Sequence, residues 1–133
     1  GIYDVSNPMT PKLIHKWAVP GKGVHRYDFD GRYFYGSATQ KGYRGTIVMI
    51  LDLADPTNPK EVGRWHMEGQ HIEASEKPTW EGAEHRCHHP LRFGDRLYVE
   101  LQRHGLPADL LPVGQARSVT PPEAAATLSS ARS

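Results

Sequence analysis

A single cysteine, Cys87, in 133 residues excludes an intrachain disulfide framework and any Cys-rich zinc finger. No apolar run approaches the roughly 18–20 residues of a transmembrane helix, so no helical membrane span is expected. Neither sign of charge dominates: 16 Lys and Arg stand against 15 Asp and Glu, a formal net charge of +1. That balance gives no electrostatic reason to expect a nucleic acid or an anionic membrane as partner. The first residues, GIYDVSNPMT, lack the basic-then-apolar layout of a signal peptide and begin inside a strand-like pattern, which leaves the compartment open. Lys, Glu and Ala runs of helical type are scarce, whereas 13 Gly and 11 Pro favour strands joined by turns. Eight histidines are the unusual component, and six of them fall between His66 and His104.

Composition divides the chain near Gly105. Up to that point short apolar alternations are punctuated by Gly, Pro, Asn and Asp; residues 106–133 carry no aromatic side chain and are rich in Ala, Ser and Pro. Such a stretch buries too little apolar surface to offset its ordering entropy, so a disordered tail is expected there, with room for a short helix over Pro121–Leu128. Within the first part, IYDVSNPMTPKLIHKW (Ile2–Trp17) aligns without gaps on ILDLADPTNPKEVGRW (Ile50–Trp65), an offset of 48 residues. HRYDFDGRYFY from His25 resembles HPLRFGDRLYV from His89 at an offset of 64, which implies an insertion near residues 66–85.

The repeated segments translate into strands. Thr46–Leu53 is a nearly continuous apolar run rich in β-branched residues, the mark of a strand buried on both faces. The Asp55-Pro-Thr-Asn-Pro59 turn that follows cannot continue it, because two prolines remove donors and fix φ; Glu61–His66 then resumes as a strand. Arg32–Ser37 and Arg96–Leu101 read as further strands, entered by the turns Asp30-Gly31 and Gly94-Asp95. Four short antiparallel strands in a unit of about 45 residues are the signature of a propeller blade.

The two aligned runs, with their apolar-Asp-apolar core followed by an Asp/Asn-Pro-x-x-Pro turn, resemble LVIVD repeats, and more distantly the propellers of selenium-binding protein and methanethiol oxidase. The resemblance covers Gly1 to about Gly105 and implies an all-β fold. It gives the last two strands of one blade (Ile2–Trp17), a full blade (Val24–Trp65) and the first two strands of a third (His88–Gln102). A closed propeller typically needs about four to eight blades, so residues 1–105 are expected to form a partial propeller. Open blade edges are then expected to favour self-association.

In such a propeller the inner strands line the channel, which would place His25 and His89 in equivalent axial positions. The insertion adds His66, His71, Glu73, Glu76 and His85 beside them. Imidazole with carboxylate suits Cu, Zn or Fe, so a transition-metal site drawn from His25, His89, His71, His88 and Glu73 is one expectation. His88 and His89 alternate in a strand, so one of the two faces the channel; the register with His25 favours His89. The same imidazoles equally serve as hydrogen-bonding groups without any metal. No residue pair has the spacing of a nucleophile with its base, and HRCHH matches no zinc signature. Cys87 lies beside Arg86 and two histidines, which could activate it, but a free cysteine in a strand more often packs as a small hydrophobe. GKGVHR and GYRGT lack the strand–loop–helix context of a phosphate loop. Two functions follow as expectations. One is a binding module for a protein or small-molecule ligand at the channel mouth. The other is a fragment of a His-lined metalloenzyme, a copper- or zinc-dependent oxidoreductase or hydrolase.

Overall fold

The computed structural model describes residues 1–78 and 85–103. They form eight strands: β1 (Ile2–Asp4), β2 (Lys12–His15), β3 (Val24–Phe29), β4 (Tyr33–Thr39), β5 (Thr46–Asp52), β6 (Lys60–Trp65), β7 (His85–Phe93) and β8 (Arg96–Arg103). Among the described residues there is no helix, and hence none long and apolar enough to cross a membrane. The expected tail, residues 106–133 with its short helix, lies outside the described residues, as do Trp80 and His104.

The strands build a two-stranded sheet β1-β2, a four-stranded sheet β3-β4-β5-β6 and a two-stranded sheet β7-β8. Every pairing is antiparallel. β4 extends to Thr39, past the expected Ser37, because Ala38 and Thr39 continue the ladder against Ile47 and Thr46. β5 is buried from Thr46 to Leu51, and its alternating side chains supply two cores. On one face Tyr33, Tyr35, Val48 and Ile50 pack against Cys87, Leu97 and Val99 of the β7-β8 sheet, with Trp65 and Leu101 at the margin. On the other, Ala38, Ile47 and Met49 lie under Trp17, Val19 and Tyr43. Burying a Val, Leu, Ile or Met side chain contributes about 1.5–3 kcal/mol each, so β5 is the main apolar anchor of the fold. Phe34 meets Trp17 edge-on at 6.1 Å and stacks on Tyr27 at 5.3 Å. Gly36 makes room for that ring: a Cβ there would lie 2.3 Å from Phe34 Cε1.

Polar contacts fix β7 onto the central sheet. The hydroxyls of Ser37 and Thr46 both donate to the Cys87 carbonyl. At the far end Arg92 donates from its backbone N–H to Asp28 Oδ2 (2.7 Å), and from its guanidinium to Asp30 Oδ2 (2.8 Å) and the Tyr35 hydroxyl. Tyr35 in turn donates to Asp30 Oδ2 at 2.8 Å. Burial, reinforced by the Asp30 carboxylate, pushes the Tyr35 hydroxyl up to about 12 despite the opposing Arg92. Burial alone would raise the Asp30 carboxyl, but the N–H groups of Arg32 and Tyr33, the Tyr35 hydroxyl and Arg92 hold it below its ordinary value.

The aligned hairpins pair alike. Ile2↔His15, Tyr3↔Leu13 and Asp4↔Lys12 in β1-β2 correspond, 48 residues on, to Ile50↔Gly63, Leu51↔Glu61 and Asp52↔Lys60 in β5-β6. The irregularity falls at the same place in both, after Ile2 and after Ile50. Their turns match as well: Thr10 N–H donates to the Asn7 carbonyl and Asn58 N–H to the Asp55 carbonyl, both at 3.1 Å. Asn7 Oδ1 and Asp55 Oδ1 each accept from the N–H two residues on, in the manner of an Asx turn.

Candidate functional site

One end of the stacked sheets opens into a cleft of about 570 Å³. It forms where β3 begins, β4 ends, β5 begins, β7 begins and β8 ends, because all these strands terminate at the same rim. Its polar lining comprises Lys22, His25, Thr39, Gln40, Tyr43, Thr46, Arg86, His88 and Gln102. Among the described residues that line it there is no carboxylate. The ring centroids of His25 and His88 are 4.8 Å apart across the rim. His88 Nδ1 lies 2.6 Å from Glu100 Oε2, and the Glu100 carboxyl is held below its ordinary value chiefly by that hydrogen bond. Desolvation, then the neighbouring charges of His88, Arg26 and Arg86, hold His25 below the usual imidazole value. The cations of the described lining are Lys22 and Arg86, with amide and hydroxyl groups beside them.

Cys87 is no nucleophile here. It is fully buried, and burial pushes its thiol up to about 12, so it packs as a core residue.

Of the expected strand histidines, the structure brings His25 and His88 together. A register shift follows Val24 in β3, next to His25, and another spans His88 and His89 in β7. His88 lies within the β7 irregularity, where a bulge can re-aim a side chain, and its ring meets His25. Of the other expected ligands, Glu73 lies against Gly42, where a Cβ would approach its Cδ to 2.7 Å. His71 is far better placed. Ligand atoms of His66, His71 and Glu76 lie within 4.8 Å of one another. The side chain of His85 falls outside the described residues.

That cluster sits on the loop after β6, which folds back on the loop between β4 and β5. Gln70, fully buried, donates from Nε2 to the carbonyls of Arg44 (2.9 Å) and Thr46 (3.1 Å) and accepts from Met67 N–H (2.7 Å). Ile72 N–H donates to the Gly42 carbonyl at 2.8 Å, and Tyr43 bridges His71 in the antiparallel sense. Gly69, at φ +90, is required: a Cβ there would come within 2.5 Å of Pro78 Cα. Glu76 organises the loop from within. Its Oε2 accepts from the N–H groups of Gly69 (2.9 Å) and His71 (3.1 Å), and its Oε1 lies 3.1 Å from His66 Nε2. The His66 contact, followed by the His71 N–H, keeps the Glu76 carboxyl below its ordinary value. Sequence reasoning placed His66 and Glu76 in the right loop but had no signal for their convergence. Nothing in the sequence signalled that Lys22, Gln40, Arg86 and Gln102 share one rim, since only the strand ends bring them together.

No protein-family model matches the chain. No solved structure matches it either. An uncharacterized protein from Archaeoglobus fulgidus is 28% identical over 64 residues, a stretch covering 48% of this chain and 10% of that protein.

Proposed function

We propose that this chain is a segment of a repeat-built β-propeller of the LVIVD type, acting as a binding module for a small anionic ligand. The shared register and turns of the two hairpins support the repeat reading. Lys22 and Arg86, with no carboxylate beside them among the described lining residues, carry the ligand reading. Arg86 supplies a planar fork suited to a carboxylate or phosphate, and Lys22 a point charge. Gln40, Gln102, Thr39 and Thr46 add neutral polar groups that fix orientation.

Isothermal titration calorimetry of the full chain with inorganic phosphate, and separately with succinate, tests the reading. Saturable 1:1 binding is expected for at least one of the two, weakened roughly tenfold or more by Arg86→Ala, the cost of losing one charge-assisted hydrogen-bonding partner. Absence of binding by both anions at millimolar concentration, or binding indifferent to Arg86→Ala in a folded variant, would overturn it.

A further inference from the structure

The geometry points to a divalent transition-metal site on the loop after β6, formed by His66, His71 and Glu76 and separate from the anion cleft. Two imidazoles and a carboxylate form a donor set suited to Zn²⁺ and its surrogate Co²⁺. Their spacing fits. His66 Nε2 and Glu76 Oε1 stand 3.1 Å apart, close to the separation of about 3.3–3.5 Å between two ligands of a tetrahedral Zn²⁺ with bonds of about 2.0–2.2 Å. All three ligand atoms fall within 4.8 Å, so closure on an ion needs a shift of about 1–1.5 Å, within reach of side-chain rotation on a loop. With three protein ligands, the fourth tetrahedral position stays open to water or to a ligand atom.

Outer contacts orient all three donors before any ion arrives. Glu76 has Oε2 fixed by the N–H groups of Gly69 and His71, which presents Oε1 toward His66, where an ion would replace the present His66 contact. The His71 ring stacks flat on Tyr43, with centroids 4.3 Å apart and planes within 10°. Tyr43 also meets the edge of His66 at 5.1 Å, so one aromatic ring orients both imidazoles. All three ligands are partly buried, which limits competition from water without closing the entry path. The other histidine grouping, His25 with His88, has no such third donor within the same range among the described residues. An ion here would lock the loop that carries Gln70 onto β5. It would also place a positive charge behind Tyr43, which lines the cleft.

Titration of the untagged full chain with Co²⁺, followed by visible absorption and then by Zn²⁺ displacement, tests the site. The expected result is one Co²⁺ per chain with the intense bands of a tetrahedral ion between about 500 and 700 nm, discharged by one equivalent of Zn²⁺. His71→Ala and Glu76→Gln should each weaken binding about tenfold or more, while His25→Ala and His88→Ala leave it unchanged. Glu76→Gln keeps a carbonyl acceptor for the loop N–H groups, so it decides the matter if His71→Ala fails to fold by circular dichroism. Weak octahedral Co²⁺ spectra, or binding lost with His25→Ala or His88→Ala and kept in Glu76→Gln, would overturn the site and leave His66–Glu76 as a hydrogen-bonded pair.

Discussion

β1-β2 and β5-β6 share a pairing register, a bulge position and a turn, yet their first strands have opposite surroundings. Every residue from Thr46 to Leu51 is buried, whereas Tyr3, Val5 and Leu13 are 54%, 61% and 54% exposed. Backbone pairing and turn chemistry are local properties, and both copies achieve them. Burial is supplied by neighbours: β5 lies between β4 and β6 with β7 across one face, while β1 has β2 alone as its sheet partner. A two-stranded hairpin by itself is marginal in water, so the first copy draws its order from Trp17 and Val19 against the second core. A matched pair of sites with unequal burial separates what the sequence motif contributes from what stacking contributes.

The strongest way to break that comparison is a truncation at equivalent positions. Ile50→Ala, in the core, should destabilise by about 2–5 kcal/mol, and Ile2→Ala, its half-buried counterpart, by about 1 kcal/mol or less. Urea denaturation of the two variants reads the difference. Equal losses would mean that the hairpins are held by their own strands rather than by stacking.

A smaller effect sharpens it through the contacts between sheets. Tyr35 has its folded value raised from 10.0 to about 12, so the stability it confers is fully present below pH 10 and is lost as pH climbs through that window. Stability measured from pH 9 to 12 by urea denaturation should fall from about pH 10 onward, and Tyr35→Phe should remove that part of the fall. Arg92→Leu should cost about 1–3 kcal/mol at neutral pH, because it leaves Asp30 and Tyr35 without their cationic partner. The β1-β2 hairpin has no comparable polar clamp among the described contacts and should show no step of its own in that range.

The fold was legible where the causes are local. The apolar run of β5, the Asp30-Gly31 and Gly94-Asp95 turns and the double-proline turn each announce themselves within a few residues, and the strands follow them closely. Site geometry was only partly legible, because it depends on contacts between sheets and on irregular backbone. Alignment sets His25 and His89 in equivalent strand positions, but no local pattern announces that His88, within a two-residue irregularity, meets the His25 ring. In the loop after β6 no periodicity indicates which carboxylate turns inward. Ser75, at φ +58, helps turn the chain back so that Glu76 faces His66, while Glu73 settles over Gly42. The cleft lining is assembled from five strand ends far apart in sequence, so no window of the sequence contains it.

The measurement that tests the functional account most directly is the pKa of His25 by NMR, with and without saturating inorganic phosphate. Its imidazole is held down by desolvation and by His88, Arg26 and Arg86, so an anion seated in the cleft must raise it. The account predicts an upward shift at His25, together with amide shifts confined to the cleft rim at His25, Arg86, His88 and Gln102. An unchanged His25 pKa, or shifts centred on β1-β2 instead, would contradict it.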